Sequence, residues 1–415
     1  MASIARKNLF EDLPRFLVAQ AGIMFAVSLV TIQTGLLDGF TRSTTRLVDQ
    51  SRADLWVAST ELEHFELTSA IPFERLGQAR RVDGVFRAEA LSIQGTRWRT
   101  VSGRIDGVRI YGFDPKGQLF PNWSIVQGDI TSLAQPYTVV IDKASRQNLE
   151  LSSLGDLGQI GSLPAKLVGQ VQDTLSMASS ASVFTSLETA NAYLFSGLTA
   201  KVNCVRGPNG DLQCVNVFEK VSKDTLNKLA APKPMSQLDP INYVLIKADP
   251  GQDLEGLRKR LEATLPDTRV YTTSELSDLT RSYWRERTGV GFILGLGAVV
   301  GFVVGMVVVS QILYASVSDH IKEFGTLKAM GASDWVIYRV ITEQALWMAV
   351  LGYLPSVLIC WALGSWTIAA KGIMILVTPT TAIGVFVITI VMCVGSALFA
   401  IQKVTHVDPA IVFKA

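Results

Sequence analysis

Hydrophobic and polar positions alternate between two regimes along this chain. Four stretches contain no Asp, Glu, Lys or Arg: Phe16–Leu37, Thr288–Ser318, Gln344–Ala370 and Gly372–Gln402. The shortest holds 22 residues. A helix of roughly 20 apolar residues crosses a hydrocarbon core of about 30 Å. The pattern therefore predicts four transmembrane helices, over 16–37, 288–316, 344–370 and 372–402. The first apolar stretch exceeds the roughly 7–15 residues of a signal-peptide core. No small-x-small site follows it at Gly35-Leu36-Leu37-Asp38-Gly39-Phe40, so it reads as an uncleaved anchor.

Between the first two stretches, over 38–287, the periods shorten and mix. Arg52–Ala58 reads as a strand, Phe73–Arg81 as a short amphipathic helix and Arg87–Ser102 as extended chain. In the last of these, Trp98 stands between Arg97 and Arg99, a triplet able to stack on a ligand but more in keeping with an exposed strand edge. Further on, Tyr243–Ile246 is a β-rich run. A helix over Leu254–Leu265 follows, with Leu254, Leu257, Leu261 and Leu265 on one face. Val270-Tyr271 is another strand, and Ser274 can cap a helix with Ser277 and Asp278 in its first turn. Strand–helix–strand order at both ends predicts a split α+β sandwich built from the two ends of the insert. The middle, about 125–235, holds short β runs such as Thr138–Ile141 and Lys166–Val171, and reads as a second, β-rich lobe.

Charge sets the sides. Charged residues are 18% of the 415, against about 25% for average soluble protein, and the deficit is confined to the four apolar stretches. A single soluble globule, a disordered chain and a strongly basic nucleic-acid binder are excluded. Arg6, Lys7 and Arg15 flank the first span. Lys322, Lys328 and Arg339 lie between the second and third, and Lys403 and Lys414 follow the fourth, against Lys371 alone on the other side. By the positive-inside rule, both termini (1–15 and 403–415) and 317–343 face the cytoplasm. Residues 38–287 are then extracytoplasmic. The expected fold class is a membrane α-helical protein of four transmembrane helices with an inserted α+β extracytoplasmic domain.

Candidate chemistry is sparse. His64, His320 and His406 are too scattered for a metal pair, no Gly-x-Ser-x-Gly elbow occurs, and Glu61 and Glu63 read as solvated surface. No catalytic residue and no metal site is expected. Cys360 and Cys393 sit inside spans as small apolar fillers. Cys204 and Cys214 flank the turn signal Gly207-Pro208-Asn209-Gly210. A hairpin there can set the two thiols opposite each other, bonded in an oxidising compartment or left as two unpaired buried thiols.

The second span is rich in glycine. Gly291 and Gly295 are four apart, as are Gly297, Gly301 and Gly305, a spacing that lets a second helix backbone approach closely. That face packs either against a second copy of the chain or within one four-helix unit. The span is also long enough to continue outward as a stalk into Thr280–Arg287.

Between spans two and three runs Ser318-Asp319-His320-Ile321-Lys322-Glu323-Phe324-Gly325-Thr326-Leu327-Lys328-Ala329-Met330-Gly331-Ala332-Ser333. Ile321, Phe324 and Leu327 share a helical face. Gly331 can end that short helix in a left-handed conformation, and Ser333 can cap the next, with Asp334 at its N-terminus. The segment is either a lever or an interfacial connector.

These residues carry a resemblance. Ile321–Ser333 resembles the motif of FtsX/MacB-type ABC permeases, roughly basic-x-Glu-aliphatic-Gly-x-Leu-basic-Ala-aliphatic-Gly-Ala. The four-span layout with one large domain after the first span is similar too, as is the close Val407-Asp408-Pro409-Ala410-Ile411-Val412. Within the family, Ala26–Val30, Gln33, Gly35–Leu37 and Ala53–Val57 look most like DevC-like permeases of heterocyst-type exporters. The resemblance implies a MacB-type periplasmic domain and a homodimer on which a separate ABC ATPase docks. Lys322, Glu323, Phe324, Gly325, Thr326, Leu327, Lys328, Ala329, Met330, Gly331 and Ala332 would then carry ATPase coupling. It implies a non-catalytic permease in the inner membrane, with ATP and Mg held by the partner because no Gly-x-x-x-x-Gly-Lys-Ser/Thr loop occurs in this sequence. A periplasmic adaptor and an outer-membrane channel would complete the assembly. Relatives of the same layout extract lipoproteins (Lol type) or signal to cell-wall hydrolases (FtsX type).

Overall fold

The computed structural model describes residues 13–120, 123–197, 200–206, 211–218, 229–321, 323, 325–326 and 330–405. They fall into two compact units, one of 13–39 with 288–405 and the other Phe40–Arg287. The elements, in chain order, are α1 (Leu13–Asp49), β1 (Leu55–Ser59), β2 (Ile71–Pro72), α2 (Glu74–Ala79), β3 (Val85–Arg99), β4 (Ile105–Phe113), β5 (Ile125–Gly128), β6 (Thr138–Asp142), β7 (Leu157–Ile160), β8 (Leu163–Val171), β9 (Ala181–Ser186), α3 (Leu187–Leu194), β10 (Ala200–Arg206), β11 (Leu212–Phe218), β12 (Pro240–Ile241), β13 (Tyr243–Ala248), α4 (Leu254–Thr264), β14 (Thr268–Thr272), α5 (Thr273–Ser282), α6 (Val290–Asp319), α7 (Asp334–Lys371) and α8 (Pro379–Thr405).

The unit Phe40–Arg287 is built on one ten-stranded sheet, ordered β14-β1-β13-β3-β4-β9-β6-β8-β5, with β7 pairing both β3 and β8. One end is the expected α+β layer. Leu55, Val57, Val244, Ile246 and Val270 point to one face and meet Leu76 of α2 and Leu257 and Leu261 of α4. Alternate residues, Trp56, Tyr243, Leu245 and Tyr271, point to the other face and meet Leu47 and Val48 at the end of α1 and Leu276 of α5. This period of two is what a sheet covered on both faces requires.

The other end closes. Because β7 bridges β3 and β8, the strands β3-β4-β9-β6-β8-β7 form a ring. Its interior is filled by Trp98, Val108, Ile110, Val139, Ile141, Ile160, Leu167 and Val183, so it is a packed small barrel rather than a channel. The β-rich middle has its own core but continues the same sheet, sharing β3 and β4 with the α+β layer. Trp98 is fully buried, its Nε1–H donating to the Leu149 carbonyl at 3.2 Å, and Arg99 is buried beside it. The Arg-Trp-Arg triplet thus lies on an interior strand, not an exposed edge. Gly158 stands under the Trp98 ring, where a Cβ would overlap it.

Helix ends follow the side chains that can satisfy them. Asp253 accepts from the amides of Glu255 and Gly256 and starts α4. Thr272, not Ser274, caps α5. Its hydroxyl accepts from Glu275 N–H at 3.1 Å while the Glu275 carboxylate accepts from Thr272 N–H at 2.9 Å. That reciprocal pair satisfies two end amides at once, which Ser274, one residue inside the helix, could not do.

In the other unit, α1, α6, α7 and α8 are each long and apolar enough to cross a membrane, over Phe16–Asp49, Val290–Asp319, Trp335–Ile368 and Pro379–Phe399. Two expectations change here. The second span does not continue outward as a regular helix: Tyr283–Arg287 is one π-helical turn, and Gly289 breaks the run at φ +72°. The fourth span does not begin at Gly372. That glycine ends α7 in the left-handed conformation (φ +70°), and 373–378 carry no helix until Thr378 accepts from Thr381 N–H and Pro379 opens α8. Proline suits the first helical turn because its missing N–H would be unsatisfied there anyway.

Candidate functional site

The glycines of α6 divide by position. A Cβ on Gly301 would come within 3.2 Å of Leu29 and Val30, and one on Gly305 would overlap the Met392 sulfur on α8 and come within 2.7 Å of Ala26 on α1. A Cβ on Gly297 would meet the Gln33 amide at 2.7 Å. These three lie against α1 of the same chain, the intrachain alternative for this stripe. Gly295 has nothing within 4 Å, and Gly291 is half-buried. Below the stripe, Val309, Leu313 and Val317 continue the buried line at every fourth residue and join the core with Ile337, Ile341 and Ala345 of α7. Ser396 of α8 donates to the Met306 carbonyl at 2.9 Å and fixes the depth of α8 against α6.

The connector from α6 to α7 begins at His320. Its Nδ1 lies 3.1 Å from the Glu323 carboxylate, one turn on. Gly325 is buried, Glu323 and Thr326 are exposed, and the Met330 amide donates to the Thr326 carbonyl at 3.0 Å. Gly331 then takes φ +87°, a conformation that glycine adopts without steric cost and that reverses the chain. Ser333 occupies the N-cap position of α7 with extended backbone (ψ 151°), but its side chain makes no capping bond. Met330, Gly331, Ser333 and Trp335 are exposed and Ala332 is half-buried. Of the residues expected to couple to an ATPase, Lys322, Phe324, Leu327, Lys328 and Ala329 lie outside the described residues. So does the Val407–Val412 close.

In the domain, Cys204 and Cys214 face each other in the β10–β11 hairpin, with Cα atoms 4.0 Å apart, and are joined by a disulfide. The hairpin forms a two-stranded sheet of its own, and both cysteines are exposed. The turn Gly207–Gly210 lies outside the described residues. Cys360 and Cys393 are free and buried.

A polar cluster that sequence reading missed orders the loop after β1. Tyr111 donates to the Glu66 carboxylate at 2.6 Å, and Arg109 pairs with it at 3.4 Å. The Glu66 amide donates to His64 Nδ1 at 3.3 Å, and the imidazole packs tilted against the Tyr283 ring, centroids 4.4 Å apart. Burial first, then the Arg109 charge, push the His64 pKa down to about 4. Burial and the Glu66 charge raise that of the Tyr111 phenol well above its usual value, so it stays a donor. The four residues are scattered over 64–111, and no local spacing announces them. Among the described residues, no three His, Cys, Asp or Glu side chains gather as a metal site.

Four membrane-length helices with a large domain inserted after the first define the chain as a multi-span membrane protein. The family description "MacB-like periplasmic core domain" matches residues 16–264, and "FtsX-like permease C-terminal" matches 295–409. The chain belongs to the MacB-like family and is an FtsX/MacB-type ABC transporter permease. It is similar to an uncharacterised ABC transporter permease of Mycobacterium bovis, 22% identical over 95% of this chain and 94% of that one. It is also similar to a probable export ATP-binding/permease protein of Pseudomonas fluorescens, at 22% identity over 55% of this chain, and spans only 30% of that relative's length. Among solved structures, the periplasmic region of MacB from Actinobacillus actinomycetemcomitans aligns with 56% of this chain and 94% of its own, at 10% identity and a TM-score of 0.34.

Proposed function

We propose that this chain is the permease subunit of a MacB-like, type VII exporter of the inner membrane. A separate ABC ATPase, holding ATP and Mg, drives the mechanical export of a periplasmic glycolipid, peptide or other amphiphile. Two copies of the permease pair, and the inserted domain passes substrate to an adaptor protein and an outer-membrane channel. The observation that carries the reading is the α6–α7 connector. Among its described residues Gly325 is buried, Glu323, Thr326 and Trp335 are exposed, and a left-handed Gly331 turns the chain as an elbow between two spans. An elbow of that kind can pass closure of a docked ATPase to both helices at once. Export as the direction of work is supported by relatives named for it, the Pseudomonas export protein and a pyoverdine export ATP-binding/permease protein of Pseudomonas syringae pv. tomato. Within the family, the reading places the chain nearest the DevC-like permeases.

The test is a pull-down of the tagged full-length chain from mild detergent, with co-purifying proteins identified by mass spectrometry. An ATPase together with a periplasmic adaptor supports the exporter. An ATPase with a lipoprotein or a cell-wall hydrolase, and no adaptor, moves the function to extraction or signalling. No ATPase in repeated captures contradicts the reading.

A further inference from the structure

The apolar heptapeptide Gly372-Ile373-Met374-Ile375-Leu376-Val377-Thr378 joins α7 to α8 without helix. Glycines line its path. Gly35 and Gly39 are one turn apart on α1, and Gly364 lies near the end of α7. A Cβ on Gly39 would overlap the Met374 carbonyl. On Gly364 it would come within 2.6 Å of the Ile375 carbonyl oxygen, and on Gly35 within 3.0 Å of that of Leu376. In each case the obstacle is main chain, which cannot rotate aside. The Leu376 amide donates to the Gly35 carbonyl at 3.0 Å, using the second lone pair of an oxygen whose first serves its own helix. Alongside, the Asp38 carboxylate accepts from the Thr381 hydroxyl at 2.9 Å.

The start of α6 offers the opposite picture. Phe292, Ile293 and Leu296 are 72%, 67% and 51% exposed within the chain, and Gly295 has open space around it. In a bilayer, apolar side chains gain little by leaving lipid, so close van der Waals contact and hydrogen bonds decide which helices hold together. The geometry points to 372–378 as a strap seated in a glycine slot. It holds α1, α7 and α8 as one rigid body at this end of the bundle, a contact in which the first turns of α6 take no part. This inference does not depend on the exporter reading, because both its parts are properties of the purified chain.

Hydrogen exchange of the full-length protein in detergent micelles, read by mass spectrometry, tests it. The Leu376 amide is expected to exchange slowly. Gly39→Val should speed it about tenfold or more by pushing Met374 off α1 and so parting the Leu376 amide from the Gly35 carbonyl, while Gly295→Val leaves it unchanged. A wild-type Leu376 amide exchanging as fast as free chain, or one insensitive to Gly39→Val, overturns the strap. Should Gly39→Val fail to fold, Gly35→Ala decides, since its added methyl would sit 3.0 Å from the Leu376 carbonyl oxygen. Faster exchange of the Leu376 amide supports the strap, and an unchanged rate overturns it.

Discussion

In the unit Phe40–Arg287 close packing is centred on large side chains, and even the tightly faced Gly158 lies against one, Trp98. Trp56, Phe65, Tyr243 and Tyr111 form a buried ring cluster on one sheet face, and Trp98 fills the barrel. In the unit of the membrane-length helices it occurs where side chains are missing, at Gly305 against Ala26, at Gly39 against Met374 and at Gly364 against Ile375. The contrast follows from solvent. Removing apolar surface from water stabilises a domain by about 25 cal/mol per Å², so bulk is useful. Lipid gives no such gain, and helices cohere by the close approach that only small residues permit. Truncation is therefore the informative change in the domain core, and enlargement of a packed glycine the informative change among the membrane-length helices.

The largest effect is expected from truncating the domain core. Trp56→Ala removes a fully buried indole and should destabilise by about 3–5 kcal/mol, read by denaturant titration of the full-length protein in micelles. A loss below about 1 kcal/mol would show that the ring cluster does not hold this layer. Enlargement is the harmful direction in the membrane unit. Gly305→Leu should cost about 1–3 kcal/mol, whereas Gly295→Leu, facing open space, should stay within about 0.5 kcal/mol of wild type. Equal costs at the two positions would refute the intrachain packing of that stripe.

The third effect is a pH dependence specific to the domain. His64 is neutral in the folded state down to about pH 4, whereas an unfolded imidazole takes its proton near 6.5. Between those values the unfolded state binds more protons. The contribution of His64 is thus complete above about pH 6.5 and is lost as pH falls toward 4, by at most about 1.4 kcal/mol per pH unit. His64→Asn, which keeps an acceptor for the Glu66 amide, should flatten the acid limb of the stability profile. An unchanged limb would place the acid sensitivity elsewhere. Smallest is the helix cap: Thr272→Ala should cost about 1 kcal/mol through loss of the Glu275 amide bond, and Ser274→Ala close to nothing.

Legibility in the sequence follows the same division. Long uncharged runs, and strands such as Tyr243–Ala248, announce themselves because one solvent rule acts over many consecutive residues. That Cys204 and Cys214 stand opposite each other was readable because the turn signal sits between them, whereas the choice between a bond and two free thiols was not. What could not be read depends on distant partners. Closure of the barrel rests on β7 meeting β3 at Trp98 and Arg99, some sixty residues away in sequence. The glycine slot needs α1 and α7 brought to the same peptide, and an apolar run like Ile373–Val377 has the composition of a span whether or not it is helical. Thr272 outranks Ser274 as a cap only because Glu275 sits three residues after it. In the connector, Gly331 was legible as a chain reversal, since a left-handed residue after a short helix is a local requirement.

The central claim is that the α6–α7 connector joins this permease to its ATPase. It is tested most directly by capturing the full-length chain beside a Glu323→Lys, Gly331→Pro double variant from equal amounts of membrane and quantifying the ATPase recovered with each. Both substitutions lie outside the apolar spans, so membrane insertion should be unaffected. The account predicts equal permease in both captures, with the ATPase recovered with wild type and at least tenfold depleted with the variant. Equal ATPase recovery from the two would contradict it.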